Sequence, residues 1–464
     1  MNRALRIVAI CLALLMLSGL FTACGSANKN KEPEETTNET PATNAQENKS
    51  EAPKEKVKLT FWGGVPEESG PKELVDEYNQ SQDEIIVEYV RFVNDDAGNL
   101  KLDTTLMSGE GVDLFVTYTR DRLVTRARNG SAVDMTDLIA KYYPDYEKDV
   151  GPIADFTKVD GKIYGIENTI QAKCYTVNMK MFQENNIEIP KEWTIEEYRE
   201  IAKKLTKGSG DDKVYGSFIF DGDWYKWLNP AYTKLGGNLL WKEDGTSNFD
   251  APEIKQALQL YYDMSMVDGS IPKLAETKTK KLSPQVMFLT EKAAMTDAQW
   301  IFRYIKDTNT YPHDFVTAFV PFPSMDKEGE YLCPGGNGDV ISISSKSKYP
   351  EEAMKFLVWH QKQGVLHMAK YGRIPASLSI PKEKISSVML EGAEHLFDKE
   401  SFEEVFLGAR FGGKYAVQLE TRAAPELAKI VTEEGERALL GEINVDEAIA
   451  NMKRRGDEAL KNAK

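Results

Sequence analysis

The chain is poor in cysteine and histidine, with four of each among 464 residues. So few cysteines exclude a disulfide-stapled scaffold, and no Cys/His cluster has the spacing of a zinc site. His360 and His367 stand seven apart and can share a helix face, but no HExxH pattern accompanies them, so no metal and no cofactor is implied. A GxSxG elbow and a Cys/His nucleophile signature are both missing. The 73 acidic residues leave room for a glycosidase carboxylate pair, but nothing singles one out. "KEDGTSN" and "DKEGE" lack the ligand spacing of a calcium loop and read as turns. Basic charge is in deficit, with a net charge of −15, which argues against a nucleic-acid partner. Beyond the first 23 residues no apolar run is long enough to span a bilayer.

What is present begins with a leader. Arg3 and Arg6 precede an apolar run from Ile7 to Leu20, which is the order of a secretory signal (residues 1–23) and shorter than a permanent anchor needs. Phe21-Thr22-Ala23-Cys24 resembles the lipobox of bacterial lipoproteins, which implies that Cys24 is lipidated and becomes the mature N-terminus. Residues 24–56 hold no aromatic side chain and cannot bury enough apolar surface to offset ordering entropy, so they read as a flexible tether. Loss of Arg3 and Arg6 with the signal takes the net charge from −15 to −17.

The remaining body alternates strands and helices, the pattern of an α/β fold. "VKLTFWGG", "EIIVEYV", "VDLFVTYT", "KCYTVNM" and "DVISISS" read as strands. Thr194 with Glu197 forms a capping box for a helix whose stripe is Tyr198, Ile201, Ala202 and Leu205, closed by Gly208. Pro350 opens a second helix, and Asn444 caps the last one. Ligands in open α/β sheets bind beyond the carboxyl ends of strands, which nominates Trp62-Gly63-Gly64 and Tyr118-Thr119-Arg120. "GGNGDV" lacks the lysine and the following helix of a phosphate loop.

In order and spacing, "LTFWGG", "VDLFVTYT", "DGKIYGI", "EWTIEEYREIAKKLTKG", "FLTEKAAMTDAQW", "GGNGDVISISSKSKYPEEAMKFLVW" and "GRIPA" resemble the family 1 extracellular solute-binding proteins of ABC importers. Glu167, where many members carry proline, and Thr296-Asp297-Ala298, where a glycine often precedes the tryptophan, are departures. The resemblance implies a two-lobed periplasmic-binding-protein-like fold (type II, maltose-binding-protein-like) with a hinge of crossing strands. Mapped onto this chain, one lobe takes residues 57–167 and 291–339, the other 168–290 and 340–464. It also puts Cys174 and Cys333 in opposite lobes, roughly 30–40 Å apart, as two free buried thiols.

The implied function is capture of a carbohydrate by hinge closure, with delivery to an ABC permease. The protein would be a monomer, secreted and held on the outer face of the membrane by its lipid. A lipoprotein glycosidase and a sugar sensor for a membrane kinase are the alternatives. A sugar site needs aromatic plates and planar polar groups. The candidates are Trp62, Gly63, Tyr118, Arg120, Gln171, Trp224, Trp227, Trp300, Asn337, Asp339 and Arg373, with Asp121 and Asp223 beside them. Trp193 and Trp359 read as packing and Trp241 as covering a lobe edge. Two arginines at one cleft would admit an acidic sugar.

Overall fold

The computed structural model describes residues 55–463 except 110, 220–225, 409–411, 413 and 417–421. The leader, Cys24, Asp223 and Trp224 therefore lie outside the described residues.

Strands β1 (Val57–Gly63), β2 (Ile85–Arg91) and β3 (Leu114–Thr117) are parallel, with β1 in the middle. Side chains alternate across a strand, and here both faces are covered, as a parallel sheet requires. Leu59 and Phe61 meet Ile85, Val87 and Phe356 on one face. Trp62 points to the other, where Leu102 and Leu106 of the helix Asp96–Ser108 close over it. A hairpin follows, β4 (Lys158–Val159) with β5 (Lys162–Ile163); Asp160 and Gly161 form its turn at φ of 51° and 80°, the mirror-image geometry that suits strand twist. Next comes β6 (Ile166–Glu167).

The chain then runs through β7 (Thr169–Ile170) into a second, antiparallel sheet. Its members are β8 (Cys174–Asn178), β9 (Met295–Thr296) and β10 (Thr317–Pro321), in the order β10-β8-β9. After β11 (Cys333–Pro334) the chain returns to the first sheet as β12 (Val340–Ile343), antiparallel between β3 and β6. The pairings β13 (Ile374–Pro375) with β7 and β14 (Tyr415–Ala416) with β11 complete the strands.

Three segments thus connect two lobes, near residues 166–174, 334–340 and 370–376. The first two run side by side: Asn168 N–H donates to Asp339 O (2.9 Å), Gly336 N–H to Gln171 O (2.7 Å) and Lys173 N–H to Pro334 O (2.9 Å). Gly335, at φ +119°, is needed there, because a Cβ would stand 2.2 Å from the carbonyl oxygen of Gln171. Ala376 N–H donates to Asn168 O (3.0 Å), tying the third segment to the first.

Strand pairing corrects the expected division. Residues 291–339 hold β9 and β10, which pair with β8, so they belong with residues 174–178 and not with the first lobe. Conversely β12 and the helix Pro350–Trp359 complete the first lobe, with Phe356 and Leu357 in its core. The second crossing at 335–339 is what exchanges them. The cysteine geometry changes with it: Cys333 Sγ lies 3.9 Å from the carbonyl of Lys173, next to Cys174, and both thiols sit in one apolar cluster. They are free and buried as expected, but neighbours instead of being 30–40 Å apart.

Most local signals are met where they were read, although the helix capped by Thr194 ends at Leu205 with Thr206 as its C-cap and Gly208 lies beyond it. Thr194 Oγ1 accepts from Glu197 N–H (3.3 Å) and Glu197 Oε2 from Thr194 N–H (2.8 Å), a closed capping box that stabilises the helix by about 1 kcal/mol. That helix buries Tyr198, Ala202 and Leu205. Pro350 occupies the first turn of its helix, and Asn444 Oδ1 accepts from Glu447 N–H at 2.9 Å. No helix among the described residues is long and apolar enough to cross a membrane.

Candidate ligand-binding cleft

A cavity of about 340 Å³ lies where the lobes face each other across the crossing segments. The first lobe supplies Asn94, Tyr118 and Thr119, and the crossing segments supply Thr169, Gln171 and Arg373. The second lobe supplies Asn229, Asp297, Trp300 and Arg303. A larger depression of about 620 Å³ beside Trp193 is a weaker candidate, because its rim charges already pair with one another (Lys327 with Glu197, Lys234 with Asp326, Lys414 with Glu330).

In the cleft, Arg373 Nη1 donates to Asp339 Oδ1 (3.1 Å) and its guanidinium lies 6.0 Å from the centre of the Tyr118 ring. Burial lifts the Asp339 carboxyl above its usual range, and Arg373 opposes that shift. Burial likewise raises the Tyr118 phenol, whose oxygen accepts from Gly64 N–H at 2.7 Å. The Gly64 N–H therefore fixes the position of the Tyr118 hydroxyl on the first-lobe wall. Opposite it, Trp300 sits in a short turn (Gln299–Ile301) and keeps 37% of its surface exposed, which is unusual for so large an apolar ring. Its edge meets Tyr304 at 6.1 Å. Gln299 Nε2 approaches Gln171 Oε1 at 3.4 Å, placing two side-chain amides at the cleft floor.

Of the residues nominated from sequence, Tyr118, Gln171, Trp300 and Arg373 thus converge on one cavity, with Asp339 behind Arg373. Others do not. Trp62 is 8% exposed, and its indole N–H donates to Gly111 O (2.8 Å) within the first lobe, because alternation along β1 turns it to the helix-covered face. Gly63 is demanded by packing, since a Cβ would stand 2.6 Å from the Tyr89 hydroxyl. Arg120 opens the helix Arg120–Arg128 and turns away from the cleft: Nη1 donates to Phe156 O and Nη2 to Lys158 O (2.6 Å). Burial pulls its pKa down to about 10, and it pairs with neither ligand space nor Asp121. Trp227 is 6% exposed and packs against Gly435, where a Cβ would approach its Nε1 to 2.7 Å. Asn337 is half-buried in the second crossing, outside the cavity lining.

Trp193 and Trp359 pack as expected, the first donating to Pro321 O (2.7 Å) and the second 5.0 Å from the Tyr78 ring. Sequence reasoning missed Asn94, Lys173, Asn229, Asp297 and Arg303. Two of these carried a readable signal, because Lys173 follows Gln171 by two along an extended segment and Arg303 follows Trp300 by one helical turn.

Comparison of the sequence with a family model for bacterial extracellular solute-binding proteins matches residues 62–363. Sequence comparison with the curated proteins returns no match. Among solved structures, an ABC substrate-binding protein from Listeria monocytogenes in complex with cycloalternan is similar with a TM-score of 0.73 at 19% identity, covering 88% of this chain and 100% of that one. The GacH receptor of Streptomyces glaucescens, solved unliganded and with acarbose, gives 0.70 at 18% identity, again over 88% and 100%. The sugar-binding protein MalE from Xanthomonas citri gives 0.67 at 18%, over 87% and 98%. At such identities these likenesses speak to the two-lobed fold, while the family match spans well over half of the chain. The chain belongs to the bacterial extracellular solute-binding proteins.

Proposed function

We propose that the protein captures a carbohydrate in the cleft by hinge closure and hands it to an ABC permease without chemical change. The observation that carries this reading is Trp300, a 37% exposed aromatic ring that lines one cavity together with Gln171, Asn229 and Arg373. An aromatic face receives the C–H face of a sugar ring, and planar donors and acceptors pair its hydroxyls. The sugar complexes of similarly folded proteins agree with it. A ligand that touches both lobes only when they close shifts the population toward the closed form, which is the form a permease recognises. Lipidation of Cys24 and a tether through residue 56 hold the monomeric body at the outer membrane face.

The test is a thermal-melting screen over neutral and acidic mono- and oligosaccharides. A ligand at 100 times its dissociation constant adds about 2.7 kcal/mol of stability. With unfolding entropy near 2.1 cal/mol/K per residue, that raises the melting temperature of this body by about 3 °C. If no saccharide shifts the melt, the carbohydrate reading fails. Release of new reducing ends from an oligosaccharide would make the protein a glycosidase instead.

A further inference from the structure

We infer that the saccharide carries a carboxylate, a uronate unit bound by Arg303 and Arg373; this rests on the carbohydrate reading above and names the substrate class. Arg303 follows Trp300 by three residues on the same short helical turn, and both side chains line the cavity. A ring stacked on Trp300 therefore has a guanidinium beside it. Arg303 donates from Nη2 to the Tyr304 hydroxyl (3.0 Å) and lies 4.8 Å from the centre of that ring. Among the described residues no carboxylate pairs with it. Partial burial of the Arg303 guanidinium costs hydration free energy that an anion beside it would return.

Arg373 lines the same cavity, and its neighbour Gly372 packs on the residue before Arg303. Gly372, at φ +96°, lies against Phe302, where a Cβ would stand 3.2 Å from the ring. The residues flanking the two arginines therefore touch. Arg373 gives one nitrogen to Asp339, and its remaining N–H groups have no partner among the described residues. Lys173 and Asp297 also reach the lining, Asp297 being 3% exposed. A guanidinium can grip a carboxylate through two parallel N–H bonds, an interaction that a neutral hydroxyl does not offer.

The experiment is calorimetric titration of the full-length protein with uronate oligosaccharides of galacturonate, glucuronate and mannuronate, their methyl esters, and neutral oligosaccharides of equal length. The esters keep ring stereochemistry and remove only the charge. A free acid that binds about 10- to 100-fold tighter than its ester supports the proposal, provided Arg303→Gln abolishes that ratio and Arg303→Lys restores part of it. Ligand-free melting of each variant establishes that it is folded. Neutral sugars or esters binding as well as the acids, with a ratio Arg303→Gln leaves unchanged, overturns the uronate assignment and leaves the carbohydrate reading standing. No binding by any saccharide overturns both.

Discussion

Lowering the pH should destabilise this protein through one side chain, His360, by an amount the structure sets. The imidazole is 2% exposed, edge-on to Phe61 and Phe356, with Nδ1 3.4 Å from the Asn168 amide nitrogen. Asn168 in turn donates to Gln361 Oε1 (2.9 Å), and Gln361 donates to Glu167 O (3.0 Å), so the ring backs the first crossing segment. Burial pulls the His360 pKa down to about 4, from 6.5. Between those values the unfolded chain binds the proton and the folded one does not, so stability present at neutral pH is lost as pH falls from about 6.5 to about 4. That span of about 2.5 pH units, each worth about 1.4 kcal/mol, amounts to about 3 kcal/mol. For a two-state transition of residues 54–464 it corresponds to about 4 °C. The buried acids Glu167 and Asp339 act in the opposite sense, so the assay compares melting curves of the wild type and His360→Asn, in which the acids cancel. Between pH 7 and 4 the wild type should lose about 4 °C more than the variant. Parallel curves would refute the reasoning.

Trp300→Ala should weaken sugar binding by about 2–4 kcal/mol, or about 30- to 1,000-fold, and Trp300→Phe should recover part of it, as calorimetric titration will read. Because Trp300 is 37% exposed, its ligand-free melting temperature should hardly move; a large drop with normal affinity would assign the ring to packing. Glu167 is fully buried, with Oε1 accepting from Gly338 N–H (2.6 Å), Oε2 unpartnered and its carboxyl lifted well above the usual range by desolvation. Stability it contributes below about pH 4.5 is lost as pH rises, so Glu167→Gln should melt progressively higher relative to wild type from pH 5 to 8; identical pH dependence would show that the acid does not titrate between folded and unfolded chains. Cys24→Ala should release the protein from membranes or leave its leader uncleaved, and unchanged membrane fractionation with normal processing would remove Cys24 as the anchor.

Local chemistry was legible in the sequence, and partnership between distant strands was not. Thr194 with Glu197, Pro350 and Asn444 announce their helices because a cap depends on residues within one turn. The lobe to which "DVISISS" belongs depends on β3 and β6, more than 170 residues upstream, and nothing within the segment encodes that choice. Trp62 shows the same limit at a single side chain. The adjacent glycines suggest open space, yet strand alternation sends the ring to a face that the helix Asp96–Ser108 has already covered. Trp300 was readable through the family resemblance, which puts a tryptophan at this loop after a buried strand. Arg303 was readable from the same turn by its spacing, whereas Asp297 and Asn229 reach the cleft only through the tertiary fold.

Closure on a sugar is the most direct test of the account. Small-angle X-ray scattering of the protein, with and without a saturating saccharide identified by the melting screen, should show a smaller radius of gyration in the complex. The change should reverse on removal of the sugar, which should be recovered intact. A radius of gyration unchanged at calorimetric saturation, or recovery of cleaved sugar, would contradict a receptor that works by hinge closure.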